Sequence, residues 1–158
     1  MIEKLDSVIE RLESFEENVN MIIGQVLGEN SEAIVGEVRN QLLNGQTNEL
    51  KPITPSYLND PYFANDTQAQ AYLEWKRSLA IAGNKNPETP NLFINGYFHR
   101  SLFLEIMDSY CEVISLVPLG DEIIAKYGKQ MFGVNDEYFE KNILPIIYDR
   151  IINYLRNE

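Results

Sequence analysis

The chain has 158 residues, 44% of them apolar and 11% aromatic, enough to bury a core within one domain and too aromatic for a disordered segment. With 24 acidic and 13 basic residues its formal net charge is −11, which repels phosphate backbones and argues against sequence-specific DNA or RNA binding. No apolar run approaches the roughly 18–20 residues of a membrane span, and the opening MIEKLDSVIERLE lacks the basic and hydrophobic blocks of a signal peptide.

In chain order, apolar residues from Ile2 to Val26 recur three and four apart, which predicts an amphipathic helix over residues 2–27. Gly28 closes it, and Asn30 or Ser31 is placed to cap a second helix through Ile34, Val35, Val38 and Leu42, ending at Asn44-Gly45. Pro52, Pro55 and Pro61 exclude a helix or central strand from residues 46–65. That segment reads as a long extended arm pinned by Tyr57, Tyr62 and Phe63. Asn65 or Asp66 starts a helix reaching about Ile81, with Tyr72, Trp75 and Leu79 as apolar contacts; Gly83 ends it before a polar loop to Pro90. From Leu102 the period becomes two, and residues 102–107 and 111–116 form an antiparallel hairpin turning near Asp108-Ser109. Both its faces are apolar, so cover on both sides is expected, from its own helices or from a neighbouring subunit. A short helix over Asp121–Tyr127 stops at Gly128. A last helix over residues 137–155 buries Phe139, Ile143, Ile147, Ile151 and Leu155 and is kinked at Pro145. The fold class is α+β in one domain: a helical part (1–45), the arm (46–65) and an α+β body (66–158).

Chemistry-bearing patterns are sparse. His99 is the only histidine and Cys111 the only cysteine, so no metal-ligand set, internal disulfide or cofactor box is expected, and a reducing cytoplasm suits the lone thiol. Ser101 lacks the Gly-x-Ser-x-Gly elbow of a nucleophile. The pairs Asp121-Glu122 and Asp136-Glu137 sit at helix starts, where carboxylates favour the macrodipole rather than acid–base chemistry. The glycines never take a phosphate-loop spacing. Trp75 beside Lys76-Arg77 could stack a base next to a cation, but a packing anchor suits a −11 chain better.

What remains is an order of pieces. Gln41, Leu42 and Gly45 close the helical start; Pro55-Ser56-Tyr57 follows; a helix carries Tyr72 and Trp75-Lys76; Asn91, Leu92, Gly96, Phe98 and Ser101 lead into the hairpin; then come Tyr127-Gly128 and Phe132-Gly133-Val134. Across about residues 40–155 this order resembles the neck, tail-completion and virion-morphogenesis proteins of tailed bacteriophages, with Asn95 where threonine is commoner and Asp60–Phe63 confined to a narrower group. The resemblance implies a non-enzymatic virion protein, made in the host cytoplasm. It would form a homo-oligomeric ring of the head–tail connector beside portal, neck or tail-tube proteins. DNA would pass its acidic channel with only non-specific contact, and no membrane would be involved. The partner-binding residues are then Pro55, Tyr57, Asp60, Pro61, Tyr62, Phe63, Trp75, Lys76, Asn91, Gly96, Phe98, His99 and Ser101. Two rival readings are a bacterial or prophage adaptor that forms no ring, and a small hydrolase built on His99.

Overall fold

A computed structural model describes residues 2–79, 86–107 and 110–157. The first apolar period becomes helix α1 (Ile2–Glu29), followed across Asn30 by α2 (Ser31–Leu43). α1 enters the core near its carboxy-terminal end, through Ile22, Val26 and Leu27, while Leu12 and Met21 stay exposed. Asn30 does not cap α2. Its Nδ2 donates to the Val26 carbonyl at 2.8 Å and so satisfies the end of α1. α2 buries Ile34, Val35, Val38, Gln41 and Leu42 along one face. It ends in a Schellman closure: Gly45 N–H donates to the Leu42 carbonyl at 2.8 Å and Gln46 N–H to the Gln41 carbonyl at 2.9 Å, with Gly45 at φ +67°.

Residues 46–65 avoid helix except for one 3₁₀ turn at Tyr57–Asn59, as the prolines require. They do not form the extended arm the sequence predicts. Thr47 N–H bonds the Lys51 carbonyl, Gln46 pairs with Pro52, and Ile53 N–H returns to the Gly45 carbonyl at 2.8 Å. The segment thereby closes on its own chain and buries Ile53 and Tyr57. Each such burial is worth roughly 1.5–3 kcal/mol, which favours the folded-back form over a solvated arm. Helix α3 (Asp66–Ser78) begins where Asn65 Oδ1 accepts from Gln68 N–H at 3.0 Å. The end expected near Ile81, with Gly83, lies outside the described residues.

Gly96, at φ +76°, turns the chain into α4 (Tyr97–Arg100), a single turn too short to show a period in sequence. The hairpin follows as β1 (Leu102–Ile106) and β2 (Cys111–Ser115), in the register Leu102 to Ser115 and Leu104 to Val113; its turn residues Asp108 and Ser109 are outside the described ones. Leu102, Leu104, Cys111 and Val113 join the core, and the chain's own α1 and α2 pack on β1. Phe103 and Ile114 alternate to the reverse face and are half-buried outside that cluster.

α5 (Gly120–Tyr127) stops at Gly128, after which Met131 and Phe132 enter the core. The kinked last helix is in fact two, α6 (Asp136–Asn142) and α7 (Leu144–Asn157), meeting at Ile143. Pro145 falls in the first turn of α7, where its missing N–H forfeits no intrahelical bond. The roughly 3 kcal/mol cost of an interior proline is thus avoided. Gln41 ties the two ends of the fold together. Fully buried, it donates from Nε2 to the Gly133 carbonyl at 2.8 Å and accepts at Oε1 from Asn135 N–H at 2.9 Å.

Candidate interaction surface

The residues singled out in the sequence separate into a buried polar knot and an aromatic ledge. Lys76 sits at the centre of the knot with 1% of its surface exposed. Its Nζ donates to Asn91 Oδ1 at 2.7 Å and to the Phe93 carbonyl, and lies 6.0 Å from the centroid of the Tyr57 ring. Asn91, fully buried, also accepts at Oδ1 from Phe93 N–H and accepts at its carbonyl from His99 Nε2 at 2.8 Å. Burial pushes the Lys76 ammonium down to about 8. Burial also holds His99 below the usual histidine range, against the Asn91 hydrogen bond and with help from the Lys76 and Arg39 cations. His99 is therefore neutral, and its Nδ1 is buried without a hydrogen-bond partner.

This knot does not present its side chains to solvent. Tyr57, Asp60, Lys76, Asn91, Gly96, Phe98 and His99, all expected among the partner-binding residues, are buried within this chain, where they hold the ledge and the hairpin start in place. Ser101 does not pair with His99. Its Oγ donates to the Phe98 carbonyl at 2.7 Å and shares a bond with Ser115 Oγ at 2.8 Å, which seals the open end of the hairpin. Among the described residues no group of three or more His, Cys, Asp or Glu side chains is placed to hold a metal ion. No helix among them is long and apolar enough to cross a membrane.

The ledge lies where the folded-back segment meets α3. Tyr57 packs edge-on to Tyr72 at 5.1 Å, Phe63 and Trp75 flank Tyr72 at 5.2 and 5.3 Å, and Tyr62 stands edge-on to Phe63 at 5.5 Å. Tyr62, expected to pin the segment, is 82% exposed; Trp75, expected as an anchor, is 41% exposed. Pro61 is exposed and Pro55 half-buried beside them. Asp60, buried, pairs with Lys126 of α5 and accepts from Tyr62 N–H at 3.0 Å. Lys126 lies 5.6 Å from the Tyr62 ring and 5.1 Å from Tyr127, a cation held over two aromatic faces. Its ammonium is pulled down by burial, but the Asp60 hydrogen bond and Tyr127 outweigh that and raise it. Burial raises the phenols of Tyr57, Tyr72 and Tyr127, so all three stay protonated at neutral pH. Lys126 and Tyr127 were not among the sequence candidates, because nothing local marks a lysine 60-odd residues away as the partner of Asp60.

Two further features escaped the sequence. Along α7, Tyr148, Ile152 and Leu155 repeat at i, i+4 and i+7 and are all exposed, Leu155 by 51%, although Leu155 was expected to be buried. A half-open cavity of 610 Å³ lies between the hairpin, α5 and the stretch from Phe132 to Phe139. Its lining is mostly apolar, with Glu112, Asp121 and Lys129 as its charged groups.

Comparison with protein-family models, with curated proteins and with solved structures returned no match for the chain.

Proposed function

We propose that this protein is a structural assembly subunit, joining to copies of itself and to other virion proteins in the head–tail connector of a tailed phage. One observation carries the reading: among the described residues the chain exposes at least two unlike apolar surfaces on different elements. One is the ledge of Tyr62 and Trp75 on the folded-back segment and α3, and the other is the Tyr148, Ile152, Leu155 stripe on α7. Contiguous exposed apolar and aromatic surface marks interaction sites. A ring needs unlike, head-to-tail surfaces on each subunit rather than one self-complementary patch. The order of motifs from Gln41 to Val134 supplies the phage setting. The net charge of −11 suits the wall of a channel along which DNA slides without binding.

The test is the mass of the purified protein in solution by sedimentation velocity, alone and mixed with portal, neck or tail-tube proteins. Discrete oligomers, or a complex with one of those proteins, are expected. A protein that stays monomeric across micromolar to high micromolar concentrations and binds none of them refutes the proposal.

A further inference from the structure

We infer that the cavity beside the hairpin receives the α7 stripe of a second copy of this chain; the inference rests on the self-assembly proposed above. The cavity has the volume of sites that bury a compact ligand or several side chains. Its walls are Leu104, Cys111 and Val113 of the hairpin, Ile124 of α5, and Phe132 and Phe139. The α7 stripe is the matching shape: Tyr148, Ile152 and Leu155 project from one side of a helix as successive knobs.

Charge selects the second copy over a foreign partner. Two chains at −11 repel each other except where a basic element meets an acidic one. Glu112 and Asp121 outnumber Lys129 at the cavity, and none of the three forms an ion pair among the described residues. Arg150 of α7 already pairs with Glu29 of α1 at 2.6 Å, so against the single Asp149 the cation that α7 offers is Arg156, which directly follows Leu155. Seating Ile152 and Leu155 among the cavity walls brings Arg156 to the carboxylates. Because knob and hole lie on different parts of one chain, the contact is head-to-tail and can close into a ring.

Two substitutions test the fit from either side. Leu155→Arg spoils the stripe, and Ala125→Arg, at an exposed residue of the cavity wall, blocks the hole without disturbing buried packing. Each variant alone should drop from the wild-type oligomer to monomer in sedimentation velocity, with unchanged far-ultraviolet circular dichroism. Mixed one to one, they should form a dimer, since each keeps the surface the other has lost. Cys111 provides a second readout, because it lines the cavity. Leu155→Cys treated with a short bismaleimide should give a covalent ladder, and Leu155→Cys with Cys111→Ser should not.

A wild-type monomer that binds no virion protein overturns the proposed function and this inference together. Wild-type oligomers that survive both arginine variants and give no ladder overturn this inference alone. Ala125→Arg that loses portal or tail-protein binding while self-association persists assigns the cavity to that protein and likewise overturns it. So does displacement of 1-anilinonaphthalene-8-sulfonate from the cavity by fatty acids in a protein that never self-associates.

Discussion

Raising the pH should stabilise this protein through Lys76. In the unfolded chain its ammonium titrates near 10.5; in the fold burial lowers it to about 8. A base with a depressed folded pKa is protonated in the unfolded state and not in the native state between those two values. The unfolded state therefore binds the extra proton, and stability rises with pH across that window. Below pH 8 both states hold the proton and the full penalty is present; above 10.5 neither does, and it is gone. For a side chain 1% exposed, a gap of this size corresponds to about 3 kcal/mol, of which roughly 2 kcal/mol is recovered between pH 7 and 10. The hydrogen bonds from Nζ to Asn91 Oδ1 and the Phe93 carbonyl favour the charged form and so act against the effect of burial. Other groups titrate too, so the useful quantity is the difference between wild type and Lys76→Met, in which the remaining groups are common to both proteins. Urea denaturation followed by circular dichroism at pH 7, 8, 9 and 10 gives it. Wild type should gain about 2 kcal/mol on the variant over that span, with similar m-values. Parallel curves would refute the claim that the knot holds a desolvated ammonium.

Three further outcomes follow from particular contacts. Gln41→Leu keeps the buried volume but strips the Gly133 carbonyl and Asn135 N–H of their partners, so it should cost about 2–4 kcal/mol, a fall of roughly 5–15 °C in Tm by calorimetry. Gly45→Ala places a Cβ 1.7 Å from Thr89 Oγ1 at φ +67° and should cost about 2 kcal/mol or more, whereas Gly24→Ala, with open space around it, should leave Tm unchanged or higher. His99 is held below the ordinary histidine range, so the unfolded state takes up a proton first on acidification; stability should decline as pH falls below about 6.5, and His99→Gln should flatten that decline in urea titrations from pH 7 to 5.

Much of the fold was legible because local physics dictates it. The three-and-four spacing of Ile34, Val35, Val38 and Leu42 allows only a helix with one buried face, and the alternation around Leu104 and Val113 only a strand pair. Asn65 before α3 and Gly128 after α5 punctuate the chain through their own backbone chemistry. The break at Ile143 was less legible, since a proline inside an apolar period can mean a kinked helix or the first turn of a new one. The candidate surface was legible in composition but not in direction: the aromatic-rich stretch from Tyr57 to Trp75 does form a cluster, yet its sequence does not say which rings face out.

Sequence alone determined the class of the longer elements, the prolines' exclusion of α-helix from residues 46–65, and the acidity that sets how this surface meets other polyanions. Tertiary structure decided which way those pieces face. It folded the proline-rich segment back onto Gly45 through Ile53 instead of letting it extend, because the hydrogen bond and the burial there depend on the end of α2 and the core it packs against. It buried Lys76 against Asn91 and left Tyr62, Trp75 and Leu155 outside. Side-chain period depends on neighbours a few residues away, whereas exposure depends on what the rest of the chain packs against, and only the folded chain contains that second quantity.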